Sequence, residues 1–275
     1  MMSTVNVSAT MRYEIHEPTS FAFSITAART PHQVVSDEEI VITPEVEMSV
    51  VPYGADTHQL LRFDADPGQL DISYRASVTL DGEDADPTDL DEVDFGNIPA
   101  EVMPYLNPSR YCESDKLGNF ATRLFGDLDR GHGRVQAITD WVETNLLYEP
   151  GVTDGSSGTT DVLLQRAGVC RDFAHVSISL CRALGIPARY VSGYGVGVEP
   201  QDFHGFFEAY LGDDWYLFDP TGMSAINRLA RIGFGRDAAD APFATFVGYA
   251  DLLDKTVSVE LDGEVDDEPD ATSTA

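Results

Sequence analysis

The sequence predicts an α+β protein, with a β-sandwich at its N-terminal end followed by a core of helices and antiparallel strands. Three features predict it. Short segments in which apolar and polar residues alternate fill residues 1–82. Beyond residue 108 the apolar residues recur at helical spacing instead. A run that is apolar or small on nearly every side, residues 170–184, then separates the amphipathic helices from a second group of strands.

The first strands are expected over residues 11–16, 21–25, 46–50 and 70–78, where alternate side chains would face opposite sides of a sheet. Glu17-Pro-Thr-Ser20, Thr43-Pro44 and Asp66-Pro-Gly68 supply turn chemistry between them. Several short strands at this spacing suggest an antiparallel sandwich. Asp81-Gly-Glu-Asp-Ala-Asp-Pro87 begins a stretch rich in Asp and Pro, and residues 83–108 read as a linker. Residues 109–262 form the expected core. Its helices are placed at 115–126, 133–147 and 159–166, the second marked by Val135, Ile138, Val142 and Leu146, the third started by Thr160 or Asp161 as N-cap. The 170–184 helix is charged only at Arg171, Asp172 and Arg182, so it should be central and buried. Gly185-Ile-Pro187 stops it. Strands are expected over 189–194, 204–211 and 214–218, and residues 263–275, acidic and small, read as a disordered tail.

Acidic residues outnumber basic ones 47 to 17, for a formal charge of −30. Lys116 and Lys255 are the lysines; every other basic residue is arginine. This balance argues against nucleic acid or an anionic membrane as partner. It also strains the compact state at low salt, a repulsion largely screened at molar salt, where the Debye length is about 3 Å. A halophilic, salt-rich cytoplasm is the expected setting. Calcium loops are the rival explanation, but no segment has the spaced Asp/Asn pattern with a central Gly. No run of apolar residues is long enough for a transmembrane helix. The first ten residues have neither a basic n-region nor an apolar h-region, so an unprocessed cytoplasmic chain is expected. Three cysteines, Cys112, Cys170 and Cys181, suggest a reduced protein rather than a disulfide framework.

Cys170 opens the apolar helix within Gly168-Val-Cys-Arg-Asp-Phe-Ala-His175. Unpaired N–H groups and the helix dipole favour a thiolate at such a position. Cys181 lies in mid-helix and Cys112 lies outside any helix start, so packing roles are expected for both. His175 stands five residues after Cys170, a rotation of about 500° that leaves the side chains about 140° apart. His204, on a strand, is free to approach. A two-residue type II′ turn at Gly212-Asp213 would pair Leu211 with Asp214 and Tyr210 with Trp215, placing His204 and Asp219 on one face as diagonal neighbours. The implied chemistry is attack by Cys170 on a carbonyl, proton transfer through His204, and orientation of the imidazole by Asp219. The Cys170 N–H is a natural oxyanion donor and Tyr148 a candidate second one.

These residues carry a resemblance. Gly168-Val-Cys-Arg-Asp-Phe-Ala-His175, Gly185-Ile-Pro-Ala-Arg-Tyr-Val-Ser-Gly-Tyr194, His204 to Glu208, Asp219-Pro-Thr221 and Gly235-Arg-Asp237 together resemble the bacterial and archaeal transglutaminase-like family. The resemblance implies a papain-like transglutaminase core, its Cys helix packed on an antiparallel sheet, with a β-rich N-terminal region attached. It places the family's catalytic Cys, His and Asp on Cys170, His204 and Asp219. It implies action on a protein or peptide amide through a Cys thioester, with acyl transfer to amine or water, and no cofactor or metal. Relatives usually carry Ala-Trp after the histidine and often Gln after the cysteine, where this chain has Gly205-Phe206 and Arg171. The alternatives are a non-catalytic protein-binding module that keeps the core fold, and a zinc site built from Cys170, His204 and Asp219.

Overall fold

The structure is a computed structural model that describes residues 2–53, 58–263 and 271–274. In chain order it contains β1 (Ser3–Ile15), β2 (Thr19–Phe23), β3 (Gln33–Thr43), β4 (Met48–Tyr53), β5 (His58–Ala65), β6 (Gly68–Leu80), β7 (Glu83–Asp84), α1 (Gly118–Phe125), α2 (His132–Asn145), β8 (Leu147–Tyr148), α3 (Thr159–Gln165), β9 (Ala167–Gly168), α4 (Cys170–Ala183), β10 (Ala188–Gly195), β11 (Phe203–Leu211), β12 (Asp214–Phe218), β13 (Leu229–Gly235), β14 (Ala244–Val247), β15 (Ala250–Asp262) and β16 (Thr272–Ser273). It is the α+β architecture expected.

The sandwich consists of two antiparallel sheets, ordered β15-β1-β6-β3 and β14-β2-β5-β4. Alternation in β1 and β6 buries Val5, Val7, Ile72 and Tyr74 and leaves polar neighbours outside. Each such aliphatic side chain contributes about 1.5–3 kcal/mol on burial. Phe21, Phe23 and Phe63 stack in the same interior. Pro52 lies in β4, an edge strand, where a missing N–H is tolerated.

The boundaries differ from expectation in three places. β14 and β15 belong to the sandwich, so residues 244–262 leave the core and return to the N-terminal sheets. Their pairing partners lie more than 200 residues away in sequence, and no local pattern reveals such a pairing. The 83–108 stretch is packed rather than free: Ile98 and Val102 bury against Tyr210 and Trp215. At the far end Thr272–Ser273 forms a strand between β12 and β7, with Ala271 and Thr272 fully buried, so these residues are no disordered tail. Residues 264–270, also assigned to that tail, lie outside the described residues.

The core sheet, β13-β10-β11-β12-β16-β7, is antiparallel throughout. α4 lies on it, and α1, α2 and α3 surround α4. The helix is as buried as its composition demands: Phe173, Val176, Ile178 and Leu180 join Phe207 and Ala209 in one cluster. Sandwich and core share further interior, since Tyr194, Phe203, Ala230 and Ile232 pack into the sandwich cluster. Tyr194 donates to the Ile25 carbonyl at 2.6 Å. Beneath the sheet, Glu208 accepts from both Arg189 and Arg231, and Arg231 also donates to Thr274 at 2.7 Å. Burial alone would raise the Glu208 pKa, but the two guanidinium groups hold it below the usual range.

Candidate active site

α4 begins at Cys170 with Val169 as N-cap, and the Asp172 carboxylate accepts the Val169 N–H at 3.0 Å. Asp172 is fully buried and also accepts from Thr153 and Arg171. Gly168 makes room for it: a Cβ at Gly168 would lie 2.7 Å from Asp172 Cβ. Arg171 is engaged by Asp172 and the Asp154 carbonyl. The Cys170 N–H belongs to the first helical turn and has no intrahelical partner. Cys170 is half-buried, whereas Cys112 and Cys181 are fully buried. Burial pushes the Cys112 thiol up to about 12 and the Cys181 thiol upward as well.

The β11–β12 hairpin has the expected pairs, Leu211 with Asp214 and Tyr210 with Trp215. Its turn differs. Gly212 and Asp213 have φ of 53° and 72°, so it is type I′ rather than II′, and the Asp accepts the left-handed conformation at the second position. The ladder ends at Phe207 with Phe218, and Asp219 lies just beyond it. Its carboxylate nevertheless meets His204, with Nε2 at 3.1 Å from Oδ2 and 3.2 Å from Oδ1.

Asp219 is clamped from behind by the Thr221 N–H at 2.9 Å, the Thr221 hydroxyl at 2.7 Å and the Ser224 N–H at 2.9 Å. Burial alone would raise its pKa, but hydrogen bonds from His204 and Thr221 and the imidazolium charge hold it below the usual range. Burial would lower His204; hydrogen bonding and charge from Asp219 and Cys170 outweigh it and push the imidazole up to about 10. With Nε2 on Asp219, the ring's other nitrogen, Nδ1, is buried and closes no hydrogen bond. Phe206 backs the ring edge-on at 4.6 Å.

Tyr148 is brought to the same place by a short parallel pairing, Leu147 with Ala167 and Tyr148 with Gly168. Burial pushes its phenol pKa up, and the neighbouring Cys170 adds to that. The pairing with Gly168 thus sets Tyr148 beside the start of α4, where Cys170 stands.

His175 points elsewhere, as helical rotation requires. It stacks on Tyr111 at 5.0 Å and its Nε2 accepts the Ala238 N–H at 3.1 Å. Burial lowers its pKa to about 4 and keeps it neutral. Asp237 accepts the Tyr111 N–H at 2.8 Å, and Arg236 pairs with Asp240, so Gly235-Arg-Asp237 fixes the surroundings of His175. α3 is capped differently from expectation: Gly158 is the N-cap and Asp161, at its third position, accepts the Gly158 N–H at 2.9 Å.

Sequence reasoning missed Ser224, Asp172 and Tyr190 around this site. Ser224 acts through its backbone and leaves no sequence signal. Asp172 stands three residues after an N-cap that has no side-chain acceptor, and that spacing is the available signal. Among the described residues, no cluster of three or more His, Cys, Asp or Glu side chains is arranged to hold a metal ion. No helix among them is long and apolar enough to cross a membrane.

Comparison with known proteins identifies the fold. Residues 119–220 match the transglutaminase-like superfamily, and residues 3–100 match the bacterial transglutaminase N-terminal domain. A crystal structure from Cytophaga hutchinsonii, described as a "Putative Cysteine Protease", is 36% identical, with a TM-score of 0.95 over 100% of this chain and 98% of that one. The chain belongs to the transglutaminase-like superfamily. An uncharacterized Mycobacterium leprae protein is 36% identical over 138 residues, 46% of this chain and 49% of that protein. A Pseudomonas aeruginosa protein-glutamine gamma-glutamyltransferase is 30% identical over 152 residues, 46% of this chain and 23% of that protein. The chain spans about half the length of the first curated relatives it matches, 49% and 57%. As a member of this superfamily, the protein belongs to a family of cysteine enzymes.

Proposed function

We propose that the protein is a Cys-His-Asp acyltransferase or hydrolase acting on glutamine side-chain or peptide-like amides. The observation that carries this reading is the His204 ring, with Nε2 on the Asp219 carboxylate and Nδ1 unengaged, beside a half-buried thiol at a helix start. Cys170 gives up its proton to His204 and its sulfur attacks the amide carbonyl. The oxyanion is held by the Cys170 N–H and the Tyr148 hydroxyl. The C–N bond then breaks, the leaving nitrogen takes the proton from His204, and a thioester remains. Water or an amine attacks the thioester, with His204 as base, and the thiol is restored.

Alkylation tests this reading. Iodoacetamide should modify Cys170 far faster than Cys112 or Cys181, and His204→Ala should slow Cys170 by tenfold or more, roughly the contribution of a positioned base. Equal rates with and without His204 would defeat it. Running the reaction with and without a primary amine then separates acyl transfer from hydrolysis.

A further inference from the structure

Asp202 precedes His204 by two residues, in the segment leading into β11. Its carboxylate holds the Lys255 ammonium at 2.5 Å through Oδ1 and 2.6 Å through Oδ2. The same ammonium lies 5.8 Å from the centre of the Phe203 ring. A carboxylate combined with an aromatic ring is a seat for a cation. Here an ammonium already occupies it, supplied by one of the chain's two lysines.

The seat adjoins the reacting groups. Two residues separate Asp202 from His204, so their Cα atoms lie within about 7 Å of each other. β15, which carries Lys255, is fastened to the same segment by Gln201, whose side chain bonds the Val259 N–H at 3.3 Å and carbonyl at 3.2 Å. The ion pair itself is open to solvent, with side chains 33% and 43% exposed. Exposed pairs of this kind contribute only about 0–1 kcal/mol, so a second cation can exchange with Lys255.

We propose that Asp202 and Phe203 form a cation subsite at the mouth of the Cys170–His204 site, favouring substrates with an ammonium or guanidinium close to the reacting amide, and that Lys255 fills it until such a substrate arrives. The proposal rests on Cys170 being the nucleophile. It adds a preference that the three reacting residues do not specify. The chain's charge of −30 also draws cations toward the protein, but without regard to position.

Two thiosulfonates separate the local effect from the general one. 2-Aminoethyl methanethiosulfonate is a cation and methyl methanethiosulfonate is neutral. With either, the thiolate displaces methanesulfinate and forms a mixed disulfide. The quantity read is the ratio of cationic to neutral modification rates at Cys170. Lys255→Met should raise that ratio and Asp202→Asn lower it, each by about threefold to tenfold, the range for one unit charge at short distance in a partly solvated site. Asp64→Asn, which removes the same charge from the sandwich strand β5, should leave the ratio unchanged. A reactive Cys170 whose ratio is the same in wild type, Asp202→Asn and Lys255→Met overturns the cation subsite alone. A Cys170 that reacts with neither reagent overturns the subsite and the nucleophile assignment together.

Discussion

The Tyr190 hydroxyl fills the volume that a side chain at position 205 would need: a Cβ built on Gly205 would lie 2.7 Å from that oxygen and 3.0 Å from the ring. The chain's Gly-Phe pair is therefore matched to a tyrosine on the neighbouring strand, and Tyr190 in turn stands in the electrostatic surroundings of Cys170.

Gly205→Ala should destabilise the protein by about 1–3 kcal/mol, the usual cost of forcing an added methyl into a packed interior. Adding Tyr190→Phe to Gly205→Ala should recover part of that loss. Denaturant midpoints of the two variants check it, and equal midpoints would mean that the hydroxyl does not cause the clash.

Asp219→Asn removes a charge that raises the His204 pKa. The imidazole pKa should fall from about 10 toward the ordinary 6.5. Turnover should drop by about 10³–10⁴, as when a triad carboxylate is replaced by its amide. An NMR titration of the His204 ring reads the first change and steady-state kinetics the second.

The histidines give stability a pH dependence at both ends. His204 has a raised folded pKa, so its contribution is complete below about 6.5 and is lost as pH rises through about 10. His58 is lowered to about 4, first by burial and then by Arg231 and Arg189, and its Nε2 accepts the Phe234 N–H at 2.7 Å. His175 is lowered to about 4 in the same sense. Both must stay neutral, so stability is lost as pH falls from about 6.5 to 4, on the order of 3 kcal/mol for His58. Urea midpoints from pH 4 to 10 at fixed ionic strength should show losses at both ends. A curve flat between pH 6.5 and 4 would contradict the account of His58 and His175.

Thr274 supplies a hydroxyl to the buried Arg231, and Thr272–Ser273 covers the edge of β12. Thr274→Val should cost about 1–3 kcal/mol, the penalty of an unsatisfied buried donor. Removing residues 271–275 should cost more, because β12 also loses a neighbour. Guanidinium unfolding of the two variants tests the order; a truncated chain as stable as the parent would make the strand dispensable.

We propose further that the charge of −30 suits the protein to high salt. Its unfolding temperature should rise steadily as NaCl increases from about 0.1 to 1 M, while the Debye length shrinks from about 10 to 3 Å. A flat response would disconnect the acidic surface from salt.

Much of the core was legible because its signals are local. The apolar run of α4, the Gly185-Ile-Pro187 stop and the hairpin register from Leu211 with Asp214 can all be read within a few residues. His204 and Asp219 meet because that register holds. The sandwich was harder. β3 carries the polar run Ser36-Asp-Glu-Glu39 and is broken by a bulge, so alternation fails there. β5 went unseen, and β15 is exposed along most of its length and pairs across the whole chain, so its polar pattern looked like part of the core. The small and polar residues of β16 suggested a tail, yet backbone pairing and the Arg231 contact bury them. The missed members of the site, the Ser224 N–H and the Tyr190 hydroxyl, act through geometry that depends on the finished fold.

In the proposed mechanism Cys170 carries the acyl group. Acid-quenched mass spectrometry of the protein with a panel of glutamine-bearing and peptide amides, followed by peptide mapping, tests it most directly. The expected result is an acyl adduct on Cys170 that accumulates with at least one amide, is absent from Cys170→Ala, and forms much more slowly in His204→Ala. Turnover retained by Cys170→Ala, or an adduct on another residue, would contradict it.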